Sequence, residues 1–317
     1  MSSTLLAASN AIPTRFKPPL FVVLGVTLSA VFSYLASPWI GGDVIAVQRP
    51  MTNLSDHLGF VGWRIVEIMC LWAGNWDATQ AASLVMLSMA PSMHYRHTYL
   101  PAHSSLLPTL AATTAIDVLS IYLPLLFLRP YGSGDSTSSP TRKENRFFDS
   151  TRVVNALLTS TIYQLIAYTA SVKFLTTWLI ESGWELESVA RVHDVSEGVL
   201  LARAALMIPV GWAASEIIFY SPSDSSDSVP EENEGPPEGQ TGSCACLARL
   251  WIKSLSPRTR KIVRRTLLVA AYQSVNSTVT LAGTVKGGNL MGAGGVSGVW
   301  TVATLVVGAV LGWVGKV

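Results

Sequence analysis

The chain alternates long apolar runs with short blocks of charge. About 20 mostly apolar residues suffice to cross roughly 30 Å of hydrocarbon, and runs of this kind begin at Leu20, Leu106, Val153 and Leu290. Only 13% of the 317 residues are charged, about half the share in soluble domains, which leaves too little polar surface to cover a water-soluble globule. A span in lipid has to satisfy its own backbone hydrogen bonds. The sequence therefore predicts an all-α fold, a polytopic transmembrane helical bundle.

Seven or eight spans are expected. The unambiguous ones are Leu20–Ser37, Leu106–Leu128, Val153–Ile180, Val199–Tyr220, Ile262–Val285 and Leu290–Val314. Residues 58–93 are interrupted by the polar break Asn75-Trp76-Asp77, so they fit two short spans, one long tilted span, or an interfacial helix followed by a span. The polar residues 94–103 (HYRHTYLPAH) are interpreted as a connector.

The chain divides into four regions. Residues 1–19 are predicted to be a cytosolic tail, and residues 20–220 the main helical region, which begins with an uncleaved signal anchor. Residues 221–246 are rich in Ser, Pro, Glu and Gly and are predicted to form a disordered acidic cytosolic loop. Residues 247–317 combine an amphipathic interfacial segment with two glycine-rich C-terminal transmembrane helices.

Lysine and arginine near span ends predict the orientation, because cytoplasmic loops carry the excess of these residues. Loop 129–152 has five of them and segment 247–265 has seven, whereas loop 181–197 has one against five acids. The first two are expected in the cytosol and the third in the lumen or outside. With both termini cytosolic the span number is even, which favours eight over seven. The expected location is an endomembrane, foremost the endoplasmic reticulum, or the plasma membrane.

Four charged residues lie inside apolar runs: Asp117, Lys173, Arg203 and Glu216. An isolated charge in hydrocarbon costs about 2.5 kcal/mol or more, so such residues mark functional sites or structural ion pairs. Lys173 and Arg203 have long side chains that can snorkel towards an interface, but the short carboxylate of Asp117 cannot. We expect Asp117 to pair with Lys173, or with Arg203, across neighbouring spans.

Three histidines, His94, His97 and His103, form the densest titratable cluster. Imidazoles near a membrane surface can bind zinc or iron, but the H-x2-H-x5-H spacing matches no metal-binding motif and Pro101 interrupts the helix. The alternative is a hydrated connector. Neither a metal site nor a cofactor is predicted.

Two kinds of covalent modification are suggested. Cys244 and Cys246 lie beside the basic amphipathic segment, where they are either palmitoylated or unmodified thiols. Asn53 and Asn276 begin N-x-[ST] sequons. Glycosylation is expected at Asn53, in the external loop, and not at Asn276, inside a span.

The last two spans are glycine-rich. Gly288/Gly292 and Gly308/Gly312 have the G-x-x-x-G spacing that lets helix backbones approach closely. Packing through these residues is expected within the chain or between subunits of a homo- or hetero-oligomer. The lipid bilayer is the predicted partner. Nucleic acid is not, because the basic residues flank apolar spans without interleaved aromatics.

Three features occur in order between residues 55 and 190. These are the G-x-x-G-W run from Gly59 to Trp63, a span with a central acid, and a long span that leads to a loop containing Trp184. This arrangement resembles wax-synthase-like membrane acyltransferases. The resemblance implies a multi-span endomembrane enzyme that moves acyl groups from coenzyme A to alcohols.

The catalytic histidine motif of that family is not reproduced. The family carries an Arg/Trp/His motif after the long span, and its histidine is the catalytic base. The corresponding stretch here, WELESVARVHDV, has Trp184 and His193 without that order. The resemblance thus implies a divergent or inactive relative, with Asp117 and His193 as candidate catalytic residues.

Two functions remain open from the sequence. Because no catalytic motif is present, we favour a non-enzymatic scaffold, assembly partner or small transporter of the endomembrane system. The alternative is a divergent membrane-bound lipid acyltransferase. A cavity open to the bilayer, with His193, His94 or Asp117 converging in it, would favour the enzyme.

Overall fold

A computed structural model describes residues 12–47, 53–99, 106–129, 150–184, 186, 189, 192–193, 196–219, 257–285 and 287–314. Over these residues the structure is all-helical, so the predicted fold class is confirmed at that level. The α-helices are α1 (Lys17–Val47), α2 (Leu54–Ala73), α3 (Ala78–Tyr99), α4 (Leu106–Leu128), α5 (Ser150–Ala170), α6 (Thr176–Glu181), α7 (Glu197–Ile218), α8 (Pro257–Thr284) and α9 (Leu290–Val314). A π-helical stretch, Ser171–Leu175, joins α5 to α6.

Four segments of the described chain are long and apolar enough to cross a membrane. They are Thr14–Trp39, Pro108–Leu128, Ser150–Glu181 and Leu290–Val314. Such helices are compatible with an integral membrane protein. Helices α2, α3, α7 and α8 have comparable lengths of 20 to 28 residues. The total of seven or eight spans stays a prediction.

The ambiguous region 58–93 forms two helices, which excludes one long span and fits either two short spans or an interfacial helix followed by a span. Helix α2 ends at Ala73, and α3 begins at Ala78. Asn75 between them has a φ of 54°, a left-handed conformation that asparagine tolerates better than most residues. Arg129 closes this end of the bundle, because its Nη2 donates to the Trp72 carbonyl at 3.0 Å while its guanidinium lies 3.9 Å from the Trp72 ring centroid.

Helix α3 lies at the centre of the bundle. It contacts α4, α7, α8 and α9, and almost every one of its residues is buried. The interpretation of residues 94–103 as a polar connector is therefore wrong for 94–99, which form the last turns of α3. Neighbouring helices surround these polar side chains and replace water as their environment. Residues 100–103 lie outside the described part of the chain.

The glycine-rich helix α9 packs against α8. A Cβ added to Gly308 would collide with Thr266, and one added to Gly312 would lie 3.8 Å from Ile262. Small residues at these positions let the two helices approach closely.

Two further close approaches involve other parts of the chain. A Cβ at Gly292 would collide with the Trp184 ring, and one at Gly288 would lie 3.4 Å from that ring. On α7, a Cβ at Gly211 would collide with the carbonyl oxygen of Ala156 on α5. The Trp184 ring thus packs directly on the backbone at Gly292. At Gly211 the backbones of α5 and α7 lie against each other.

Candidate functional site

A cavity of about 440 Å³ lies between α1, α2, α3, α4 and α8. Four charged side chains line it: Arg64 and Glu67 from α2, Arg96 from α3 and Asp117 from α4. Helix α1 adds three serines at intervals of four residues, Ser29, Ser33 and Ser37. This spacing places the serines on one face of the helix. The cavity thus combines a largely apolar lining with four charged side chains and several hydroxyl groups.

Arg64 is the centre of the charged cluster. Its Nη1 lies 2.5 Å from Glu67 Oε2, and its Nη2 lies 3.3 Å from Asp117 Oδ1. Nη2 also donates to Ser120 Oγ at 3.0 Å. The Arg64 and Glu67 side chains are 11% and 2% exposed, whereas Asp117 is 31% exposed towards the cavity. One guanidinium therefore lies within ion-pair distance of two carboxylates from two helices.

Glu67 is also the end of a hydrogen-bond network that reaches α8. Its Oε1 accepts from Asn276 Nδ2 at 2.9 Å and from the Tyr272 hydroxyl at 3.2 Å. Asn276 in turn accepts from Trp63 Nε1 at 2.8 Å and donates to Ser88 Oγ at 2.9 Å. These hydrogen bonds hold the Glu67 carboxylate in one orientation. The buried Glu67 is therefore fixed as a partner of Arg64.

Arg96 occupies another wall of the cavity. Its Nη2 donates to Thr284 Oγ1 at 3.1 Å, and its Nε has no hydrogen-bond partner among the described residues. The Ser92 hydroxyl, one turn earlier on α3, is likewise buried and lacks a partner in the described part of the chain. Both residues line the cavity.

The structure corrects the predicted partner of Asp117. Asp117 pairs with Arg64, and the Lys173 side chain is exposed in the π-helical stretch. Arg203 is buried on α7, and within the described ranges it forms no ion pair with Asp117. The expected pairing with Lys173 or Arg203 is therefore wrong. Sequence spacing cannot show which faces of two helices are turned towards each other.

Glu216, the fourth predicted intramembrane charge, has an ion-pair partner. Its Oε2 lies 3.0 Å from Arg152 Nη1, across the α5–α7 contact. Both side chains are largely buried. The pair links the start of α5 to the end of α7, away from the cavity.

The predicted histidine candidates do not meet in the cavity. His94 Nε2 lies 3.4 Å from Ser171 Oγ, and its ring contacts Trp300 edge-on at 5.7 Å between centroids. His97 is buried on the same helix, and His193 is exposed in the segment between α6 and α7. Within the described ranges no group of three His, Cys, Asp or Glu side chains could hold a metal ion. His103 falls outside those ranges.

Of the predicted glycosylation and palmitoylation sites, the structure describes the two sequon asparagines and not the two cysteines. Asn53 is exposed immediately before α2, whereas Asn276 is 2% exposed and engaged in the network around Glu67. Cys244, Cys246 and the whole loop 221–246 lie outside the described residues.

The sequence carried signals for the residues that were missed. Arg64 and Glu67 stand three positions apart in an apolar stretch, the spacing at which helical side chains are neighbours. Gln273 and Asn276 make the eighth helix unusually polar for a span, which indicates a polar partner on another helix.

The comparisons of this chain with protein-family models, with curated proteins and with solved structures give no match. The resemblance to wax-synthase-like acyltransferases stays a prediction. The function of the cavity is therefore argued below from the residues that line it.

Proposed function

We propose that this chain is a multi-pass integral membrane protein that binds a small polar solute in its charged cavity, as a small transporter does. The observation that carries the proposal is the cavity of about 440 Å³ whose walls include Arg64, Glu67, Arg96 and Asp117. This volume falls within the roughly 300–1,000 Å³ of small-molecule sites. Ionisable groups among membrane helices are expensive, and they commonly mark a solute or ion pathway.

The proposed topology has eight spans, with α5, the π-helical stretch and α6 counted as one. Spans that alternate in direction bring the C-terminal halves of α1, α3 and α8 to the same side as the N-terminal halves of α2 and α4. Those halves supply most of the cavity, including Ser37, Phe60, Arg96, Leu110 and Thr284. In the orientation favoured by lysine and arginine, this is the lumenal or external side.

The opposite side is the one closed by Arg129. In the proposed orientation this residue and the Arg152–Glu216 pair face the cytosol. Protease protection of sealed vesicles tests the orientation, because cleavage within 181–197 from the cytosolic side contradicts it.

The acyltransferase alternative has one supporting observation, the position of Asp117 in the cavity wall. A general base has to lie within hydrogen-bond reach of the proton that it removes. The lining residues that the structure describes include neither His94 nor His193. Asp117 and Glu67 both lie within ion-pair distance of Arg64, so Arg64 already occupies the two acids of the cavity. The cavity therefore supports solute binding better than acyl transfer.

Solute-dependent stability and flux test the proposal. The purified chain is screened for thermal stabilisation by amino acids, carboxylates, amines, sugars and inorganic ions, and the stabilising solutes are then followed across proteoliposomes. A solute at about 100 times its Kd adds about 2.7 kcal/mol to the free energy of unfolding.

A matched pair of α1 variants locates the site. Ser33→Trp adds a ring at the cavity wall, whereas Thr27→Trp adds the same ring at a position of the helix that does not line the cavity. We expect Ser33→Trp to abolish both stabilisation and flux, and Thr27→Trp to retain them. Flux that survives Ser33→Trp, or a panel in which no solute stabilises the wild type, contradicts the proposal.

A further inference from the structure

We infer that the cavity binds an anionic oxygen group, a carboxylate or a phosphate, against Arg96 and Ser92. This inference rests on the proposed function and names the class of ligand. Its starting point is Arg96, which is only 9% exposed and lines the cavity. Buried charges in proteins are normally paired or bind an ion.

Arg96 has no carboxylate partner among the described residues. The two acids of the cavity, Glu67 and Asp117, lie within ion-pair distance of Arg64 instead. Asp117 is near enough for its charge to act on Arg96, but the two side chains form no ion pair. The Arg64 guanidinium thus lies within ion-pair distance of both carboxylates. The Arg96 guanidinium lines the cavity and forms no ion pair with a described residue.

Ser92 supplies a second donor on the same face of α3. It precedes Arg96 by four residues, a spacing that brings side chains together on one side of a helix. Its hydroxyl and the Arg96 Nε are both buried without a hydrogen-bond partner in the described part of the chain. Buried polar atoms of this kind are uncommon and call for a ligand or water.

Thr284 positions the guanidinium. Its hydroxyl donates to the Thr280 carbonyl at 2.7 Å, so the oxygen is left to accept from Arg96 Nη2. Arg96 lines the cavity, and its Nε has no hydrogen-bond partner in the described part of the chain. A planar guanidinium matches the two oxygens of a carboxylate or phosphate, and an adjacent hydroxyl adds a third hydrogen bond.

The anionic group could belong to a soluble anion or to the headgroup of an anionic lipid. Two experiments distinguish these ligands. In the first, the chain in neutral detergent is titrated calorimetrically with inorganic phosphate and with acetate. In the second, its thermal stability is compared in nanodiscs of phosphatidylcholine alone and of phosphatidylcholine with phosphatidylglycerol. A response to the soluble anions identifies a solute site, and a response to phosphatidylglycerol alone identifies a headgroup site.

Variants assign the response to the two donors. Arg96→Gln is expected to weaken anion binding at least about tenfold, because it removes a charged donor, and Ser92→Ala by a few fold. Arg96→Lys keeps the charge without the planar fork and is expected to fall between the wild type and Arg96→Gln. Lys173→Gln removes an exposed cation away from the cavity and is expected to bind as the wild type does.

Several outcomes overturn the inference. One is a wild type that responds to none of the anions or lipids, and another is an Arg96→Gln variant that binds as tightly as Lys173→Gln. If Arg96→Gln does not fold, Ser92→Ala and Arg96→Lys decide, and wild-type affinity in both refutes the site. Anion binding without flux would refute the proposed transport and leave the anion site standing. Flux of a cation or a neutral solute, without anion binding, would refute the anion site and leave the proposed transport standing.

Discussion

Replacement of Arg64 by glutamine removes the cation that two carboxylates share. At 3.3 Å and an effective dielectric constant of about 20, one such attraction is worth about 5 kcal/mol before desolvation. Breaking a buried pair by removal of one partner typically destabilises a protein by about 3–5 kcal/mol. Asp117 is 31% exposed and recovers some hydration, and Glu67 keeps its bonds from Asn276 and Tyr272. We therefore expect a loss near the lower value, about 3 kcal/mol.

A double-mutant cycle separates the interaction from the general effect of substitution. Glu67→Gln alone leaves Arg64 paired with Asp117. In the double variant Arg64→Gln/Glu67→Gln, both members of the Arg64–Glu67 ion pair are uncharged. The double variant should be more stable than the sum of the single losses by about 0.5–3 kcal/mol, the range for residues in contact. Lys173→Gln serves as the control and should change stability by about 0.5 kcal/mol or less.

The measurement is reversible unfolding in mixed detergent micelles, followed by tryptophan fluorescence. Trp63 lies in the network around Glu67 and reports on this part of the bundle. If the single losses add to within about 0.5 kcal/mol, Arg64 and Glu67 do not interact and the charged cluster is refuted. Wild-type stability in Arg64→Gln refutes it equally.

Three further predictions use other contacts of the bundle. Gly211→Ala forces a methyl group against the backbone of α5 and should destabilise by about 1–3 kcal/mol; Gly298→Ala meets nothing within 4 Å and should be neutral or stabilising in the same unfolding assay. Tyr163→Phe removes a buried 2.9 Å hydrogen bond to a threonine of α9 and should lower the free energy of unfolding by about 1 kcal/mol; an unchanged stability would show that this bond adds nothing. Expression with glycosylation should give one glycan shift that Asn53→Gln removes, because Asn276 is buried among helices; a shift that survives Asn53→Gln contradicts the proposed topology.

Hydropathy located most of the helices, although it missed the last turns of α3. The predicted runs Leu106–Leu128 and Leu290–Val314 are the bounds of α4 and α9 in the structure, and the polar break at 75–77 does separate α2 from α3. These features are local. A helix satisfies its backbone hydrogen bonds within its own segment, so an apolar run with polar ends is sufficient to locate it.

The contacts between polar side chains depend on how the helices pack against one another. Asp117 and Arg64 are 53 residues apart in the chain, and their contact depends on how α2 and α4 are rotated about their axes. The same holds for Arg96, whose polar sequence surroundings indicated a hydrated connector although the residue lies in the wall of a cavity. Hydropathy indicates that a segment lies in apolar surroundings. The mean hydropathy of a helix does not change when the helix rotates about its axis, so it cannot show which neighbour each side chain faces. The positions of the neighbouring helices therefore determine whether a charge faces lipid, an opposite charge or a cavity.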